Sequence, residues 1–361
     1  MAIQRLAAEL IVRIFESLTS VSDILNLSLS CHYFNGVLTK SQKLGLFFNA
    51  TDKEMGPIGE IIQLLTQNNA QLLHIQRSPP LSQALLSQVN AAARVADRIV
   101  KLYPSFRWVD AESAQRRLLT DSEARRLRRA VYRFWSYTQA FHSPPSPLVI
   151  RPDQLPATER LHLLRSWSTE ELYDLEDLRC VLEHLISSEI CPTDGDVYSR
   201  HPEDVRLPRT SAQYVARSRI SSSCTAIRDA FHSTDNIHEM NPHQATTQEM
   251  RFRYMQGWGS ELHNYYLVQS FLKCSPKEIL WLFDNAIYKE DVEQFLEFQK
   301  CDPYFFESGS MLFQDWVAVM HARGIDVQKA REGIWDGHAG IVRRIESTSM
   351  CGSGRMTTFE R

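Results

Sequence analysis

The chain has 361 residues, with 40 basic and 43 acidic side chains and a formal net charge of −3. This balance gives no general attraction to nucleic acid or anionic lipid, and no apolar run approaches the roughly 20 residues that a membrane helix needs. Seven scattered cysteines without C-x-x-C spacing argue against a disulfide framework and a zinc ribbon. We therefore expect a reduced protein of the cytoplasm or nucleus, with no cofactor and no nucleic-acid or membrane partner.

Apolar residues recur at helical spacing along most of the chain, and nothing predicts a strand. Capping boxes mark helix starts at residues 120–123, 168–171 and 275–278. The sequence therefore predicts an all-α fold. Helical periodicity extends over residues 6–18, 58–75, 81–102, 121–142, 159–187, 247–273, 276–287 and 310–346.

The first predicted helix, residues 6–18, is unusually apolar. On a helical wheel its large apolar side chains cover an arc of roughly 240°, whereas a surface helix typically buries a stripe of about 100°. We expect such a helix to be buried on two sides. The short stretches that follow, near residues 23–29 and 34–38, are too small to enclose all of this surface. Either the rest of the chain or a second protein has to cover the remainder.

The spacing of these N-terminal residues resembles the F-box family pattern, Leu-Pro-x-Glu-Leu-x3-Ile-Phe-x2-Leu, then Asp-Leu-Leu-x-Leu, then Cys-x-x-Phe-x3-Leu. Ala7 departs from the family, which usually has proline at this position. The residues in register are Leu6, Glu9, Leu10, Ile14, Phe15, Leu18, Asp23, Ile24, Leu25, Leu27, Cys31, Phe34 and Leu38.

The resemblance implies a three-helix F-box over residues 1–45 that docks on a Skp-family adaptor of a cullin–RING ubiquitin ligase. The alternative is that this segment is only the first hairpin of one large α domain. Carried over by position, Phe15, Leu27 and Phe34 are expected to pack inside the F-box. The residues expected to face the Skp protein are Leu6, Ala7, Leu10, Ile14, Leu18 and Leu25.

A larger, irregular helical body is expected over residues 46–346. It loosely resembles the C-terminal regions of many fungal F-box proteins and would select an unknown protein target. Proline and polar residues predict a seam at 143–147 and a polar excursion at 188–246, with one helix near 211–230. Residues 347–361 are predicted to be a disordered tail.

Candidate catalytic and metal-binding motifs are weak. Gly257 and Gly259 begin like a dinucleotide-binding loop, but Leu262 replaces the third glycine, so we predict close packing beside Trp258 instead. His238 and His243 lack the spacing of a zinc site. We therefore expect no catalytic residue, no metal ligand and no enzymatic activity.

Two other groups of residues have competing interpretations. Seven arginines between residues 116 and 133 could bind an acidic or phosphorylated partner, but a solvated helix face paired with nearby carboxylates is favoured. Aromatic residues crowd the last third of the chain, and we expect most of them to be core. Any that line an exposed groove would be target anchors.

Together these features predict a non-catalytic adaptor that holds a target close to the ligase. An F-box-like interaction or structural module without a ligase role is the main alternative. An uncharacterised helical enzyme is a third hypothesis, which requires a deep polar pocket with clustered titratable groups.

Overall fold

The computed structural model describes residues 6–67, 75–108, 117–142, 157–200, 257–286, 288–300 and 305–343. Within these ranges the chain is helical and contains no β-strand, which confirms the predicted all-α class. The α-helices are α1 (Ala8–Ser17), α2 (Val21–Ser30), α3 (His32–Val37), α4 (Lys40–Met55), α5 (Ile58–Leu65), α6 (Gln83–Arg107), α7 (Asp121–Phe141), α8 (Ala157–Arg165), α9 (Thr169–Leu185), α10 (Asp194–Arg200), α11 (Glu261–Phe271), α12 (Pro276–Asn285), α13 (Lys289–Phe295), α14 (Leu312–Ala322) and α15 (Val327–Trp335). The segments Ile186–Ile190 and Leu296–Lys300 are π-helical turns.

Side-chain caps fix where several helices begin. The three predicted capping boxes are present at the starts of α7, α9 and α12. A fourth, made by Thr39 and Gln42, starts α4, which the periodicity did not predict. Two predicted helices are each divided in two: Ser168 caps a new helix within 159–187, and Gly324, at φ +72°, separates α14 from α15.

The large core is built around α9. Its leucines at positions 172, 175, 178, 182 and 185 are all buried, and α7, α6, α14 and α15 pack around it. The indole N–H of Trp316 on α14 donates to the carbonyl of Leu172 at 2.9 Å. Tyr137 on α7 donates to Asp315 on α14 at 2.6 Å. These bonds supply partners for polar atoms that water cannot reach.

Charged side chains of α9 are also buried, and each has an opposite charge beside it. Asp177 lies 3.1 Å from Arg107 of α6 and accepts a hydrogen bond from the backbone N–H of Ile341 at 2.8 Å. Burial raises the pKa of Asp177, and this effect outweighs the positive charge of Arg107, which lowers the same pKa. Arg179 bonds both carboxylate oxygens of Glu176, at 2.7 and 2.9 Å. A buried charge without such a partner would be strongly destabilising.

A second, smaller core lies at the N-terminus and joins α1, α2 and α3 to one side of α4. We call α1–α3 the N-terminal module. Helix α4 continues through the predicted domain boundary at residues 45/46, and it supplies side chains to both cores. Leu46 and Ala50 pack into the small core, whereas Phe48 packs into the large one. The small core contains Ile11, Phe15, Ile24, Phe34, Leu38, Leu46 and Ala50.

Several predictions concern residues outside the described ranges. These are the seam at 143–147, the helix near 211–230, the tail at 347–361 and both His238 and His243. The predicted polar excursion is described only over residues 188–200, where the chain forms part of a π-helical turn and then α10.

Candidate partner-binding surface

Helix α1 presents two apolar faces to different surroundings. Ile11 and Phe15 are buried in the small core. Leu10 and Ile14, four residues apart and therefore on one face, are 50% and 38% exposed. The described part of the chain buries this helix on one side only. The other side leaves large aliphatic groups in contact with solvent.

Helix α2 repeats the same arrangement. Ile24 and Ser28 point inward. The Ser28 hydroxyl donates to the carbonyl of Ile24 at 2.7 Å, so the buried hydroxyl has a hydrogen-bond acceptor within its own helix. Leu25 and Leu29 are 44% and 78% exposed. Ser20 caps the helix by accepting from the N–H of Ser22. The cap and the inward face set the rotation of α2 and leave the two leucines outside.

The remaining predicted positions differ in their exposure. Ala7 is exposed at the start of α1, and its side chain makes no capping hydrogen bond. Leu6 and Leu18 are half-buried against the small core. Of the residues predicted to pack inside the module, Phe15 and Phe34 are buried, and Leu27 is half-buried.

Two exposed residues of the module were not among those predicted. Leu29 follows Leu25 by four positions, so helical spacing alone could have identified it. Tyr33 is 43% exposed, and its hydroxyl donates to the carbonyl of Leu6 at 3.2 Å. This bond connects α3 to the start of α1, a contact between residues distant in sequence that no local pattern indicates. We call Leu10, Ile14, Leu25 and Leu29 the exposed leucine-isoleucine set.

Polar contacts attach the module to the body through α4. Glu54 accepts a hydrogen bond from the N–H of Val21 at 3.0 Å, at the first residue of α2. Arg125 of α7 bonds the carbonyl of Asp52 at 2.7 Å and its carboxylate at 3.0 Å. The same carboxylate accepts from the N–H of Ile58 at 2.7 Å. The end of α4 is thus held from both sides.

Six of the seven arginines in the run, those at 117, 125, 126, 128, 129 and 133, are engaged within the chain, and the seventh, at 116, lies outside the described residues. Burial alone would raise the pKa of Glu123, but hydrogen bonds from Arg117 and Thr120 outweigh it and lower that pKa to about 2. Arg128 and Arg133 are largely buried, so the run is not the solvated face that the sequence favoured, although its pairing with carboxylates is confirmed. The pairs, at 2.5–3.2 Å, are Arg117–Glu123, Arg125–Asp52, Arg126–Asp174, Arg128–Asp97, Arg129–Glu171, Arg133–Glu60 and Arg133–Glu171.

The glycine motif is a packing feature, as predicted. A Cβ on Gly257 would collide with the backbone and side chain of Asp194, and Gly259 has a φ of +90°. The backbone N–H of Trp258 donates to the carbonyl of Pro192 at 2.8 Å, and the ring is buried. In the part of the chain that the structure describes, no three His, Cys, Asp or Glu side chains are grouped as metal ligands would be.

Comparisons with protein-family models, with curated proteins and with solved structures found no match to this chain. Among the described helices, none combines the length and the apolar character needed to cross a membrane.

Proposed function

We propose that this chain is a non-catalytic adaptor that docks on a Skp-family protein through its N-terminal module and recruits a protein target for ubiquitination. The observation that supports the proposal most directly is the exposed leucine-isoleucine set on α1 and α2. These residues lie on helices whose sequence follows the F-box pattern, and the described part of the chain leaves them exposed.

The energetics favour a protein partner for this surface. Full burial of an exposed leucine or isoleucine is worth about 2 kcal/mol, so half-exposed side chains could each contribute about 1 kcal/mol on docking. Four such residues on two short helices would supply a substantial part of the free energy of a protein complex. Exposed apolar side chains that share one helix face, as Leu10 and Ile14 do on α1 and Leu25 and Leu29 do on α2, are typical of interaction sites, whereas scattered ones are not.

The connection between module and body suits an adaptor. Helix α4 contributes to both cores, and Asp52 and Glu54 tie its C-terminal half to α7 and to α2. A partner bound to α1 and α2 would therefore be held in a defined orientation relative to the body. Proximity then makes ubiquitin transfer to a target on the body effectively intramolecular.

The test is co-expression of the full chain with a Skp-family protein, followed by co-purification and measurement of the dissociation constant. We expect a stable complex with the unaltered chain. The double variant Leu10→Asp with Ile14→Asp places carboxylates against an apolar interface, and we expect binding at least about 100-fold weaker because the charges would lose their water.

The matched control is Leu118→Asp. Leu118 is 85% exposed on the body, so this change adds a charge to an exposed leucine outside the module. It should leave both the circular dichroism spectrum and the Skp affinity unchanged. If the unaltered chain shows no Skp binding, or if the α1 double variant binds as well as the control, the proposed docking surface is wrong.

A ubiquitin-transfer assay separates the adaptor from a module that binds Skp without a ligase role. The reconstituted ligase is incubated with the Skp complex and with proteins that co-purify with the body. Modification of a bound protein that depends on Leu10 and Ile14 supports the adaptor. Skp binding without any transfer would favour the F-box-like structural module.

A further inference from the structure

Helix α11 carries an exposed apolar and aromatic face on the body. Leu262, Tyr265 and Tyr266 are 71%, 54% and 63% exposed, and their spacing of three and four residues places them on one side of the helix. The opposite side, with Leu267, Val268 and Phe271, is buried in the large core. The two exposed tyrosines are therefore not core residues, in contrast to the expectation for most aromatics in this region.

The two tyrosine rings contact each other edge to face and so form one aromatic surface. The ring centroids of Tyr265 and Tyr266 are 5.6 Å apart, and their planes meet at 76°. Phe306, 47% exposed, lies 6.0 Å from the ring of Phe271 at the end of the same helix. Tyrosine is enriched among the residues that dominate binding energy at interfaces, because it offers a large contact area with a polar tip.

Carboxylates border this face. Glu261 is exposed at the first residue of α11, one turn before Tyr265. On the far side, Gln269 donates to Glu183 at 2.7 Å. The hydroxyl of Ser270 lies 3.5 Å from the carbonyl of Ser308, whose neighbour Glu307 is exposed. An exposed glutamate therefore stands at the beginning of the face, and the segment that packs beside the end of α11 carries a second exposed glutamate.

Among the described residues, three cations near α11 already have partners. Arg179 bonds Glu176 and Glu183 and is buried. Lys273 is buried, with its ammonium bonded to the carbonyl of Phe305. Lys289 lies 4.6 Å above the ring of Trp258. The outward face of α11 thus combines aromatic rings with acidic groups, which is the chemistry that attracts lysine and arginine.

We propose that the outward face of α11, formed by Leu262, Tyr265 and Tyr266 and bordered by Glu261 and Glu307, binds a basic peptide segment of the target protein. This deepens the proposed adaptor function and rests on it for the identity of the peptide as part of a target. Lysine or arginine side chains contact the tyrosine rings and the carboxylates, and an apolar side chain of the peptide packs on Leu262.

The test uses the full chain and fluorescein-labelled synthetic peptides in fluorescence anisotropy. One peptide alternates arginine with leucine, a second alternates lysine with leucine, and a third alternates glutamate with leucine. We expect the two basic peptides to bind and the acidic one not to bind. Binding of the basic peptides should weaken as sodium chloride is raised from about 0.05 M to about 0.5 M, because added salt screens the opposite charges.

The double variant Tyr265→Ala with Tyr266→Ala should weaken binding of the basic peptides about tenfold or more, because it removes both rings. Glu261→Gln should weaken it less and reduce its salt dependence. The control is Tyr33→Ala, which removes an exposed tyrosine from the N-terminal module and should leave peptide affinity unchanged. All variants change exposed side chains, and circular dichroism checks that they fold.

Three outcomes would overturn the proposal: no binding of either basic peptide, equal binding of the acidic peptide, or unchanged affinity in the tyrosine double variant. A dimer of the free protein that this variant abolishes would also overturn it, since the face would then join two copies of the chain. Measuring Skp binding in the same variants distinguishes a failure of this peptide-binding proposal from a failure of the proposed adaptor function. The Leu10→Asp, Ile14→Asp variant should keep peptide binding and lose Skp, whereas the tyrosine variant should do the opposite.

Discussion

Helices α1 and α9 both combine large aliphatic residues with charged ones, yet their surroundings are opposite. In α9 even Glu176, Asp177 and Arg179 are buried, because neighbouring helices and α9 itself supply opposite charges and hydrogen bonds. In α1, by contrast, Leu10 and Ile14 are exposed, because nothing in the described chain covers that side. Burial in this protein thus depends on which neighbours a helix has, and composition alone does not decide it.

The comparison also separates two kinds of stabilisation. The body joins its helices by ion pairs and hydrogen bonds buried among apolar side chains, as at Arg160–Asp315 and Arg126–Asp174. The small core consists of aliphatic and aromatic side chains. Changes to buried charge should therefore affect the body most, and changes to side-chain volume should affect the module most.

Removal of a buried charge should have the largest effect. Asp177→Ala leaves Arg107 without its carboxylate and the N–H of Ile341 without its acceptor. We expect the free energy of unfolding to fall by up to about 5 kcal/mol, measured by urea denaturation of the full chain.

The control for that change is Asp284→Ala. Asp284 pairs with Arg98 at 3.1 Å on the surface, where both side chains are about half exposed. Loss of this pair should cost less than about 1 kcal/mol. If the two substitutions lowered the free energy of unfolding equally, burial would not determine how much an ion pair contributes to stability.

Phe15→Ala should have the next largest effect, and it tests the small core. Phe15 is fully buried, so truncation should cost about 3 kcal/mol and disturb the module before the body. Hydrogen exchange should show faster exchange in α1–α3 than in α9. Leu10→Ala, on the same helix but half exposed, should cost less than about 1 kcal/mol. Similar losses for the two would contradict the assignment of inner and outer faces.

A smaller effect is expected at Gly340, where the C-terminal segment approaches α9. Its φ is +82°, and a Cβ there would lie 2.6 Å from the Asp177 carboxylate. Gly340→Ala should therefore cost about 2 kcal/mol, measured from denaturation midpoints. Gly324→Ala is the control, because Gly324 has a φ of +72° but no atom within 4 Å of an added Cβ. Its cost of about 1 kcal/mol should reflect backbone strain alone. If the two substitutions cost the same free energy of unfolding, the Asp177 side chain must move away from the added methyl group.

Local patterns predicted much of the fold. Helical periodicity predicted the all-α class, and hydroxyl-to-glutamate spacing marked the starts of α7, α9 and α12, because these signals depend on residues within one turn of each other. Helix α4 was missed, since its apolar residues serve two cores on different sides and blur the periodicity. The break at Gly324 was also missed, because apolar residues continue on both sides of it.

The sequence by itself determined the helical class, the main caps, the glycine packing beside Trp258 and the apolar excess of the first helix. Only the tertiary structure decided which part of that excess stays exposed, because the rotation of α1 depends on the small core that it shares with Phe34, Leu38 and Leu46, which are distant along the chain. It also decided that the arginines of α7 pair between helices. Long-range neighbours set burial, and burial sets whether a leucine or an arginine is structural or available to a partner.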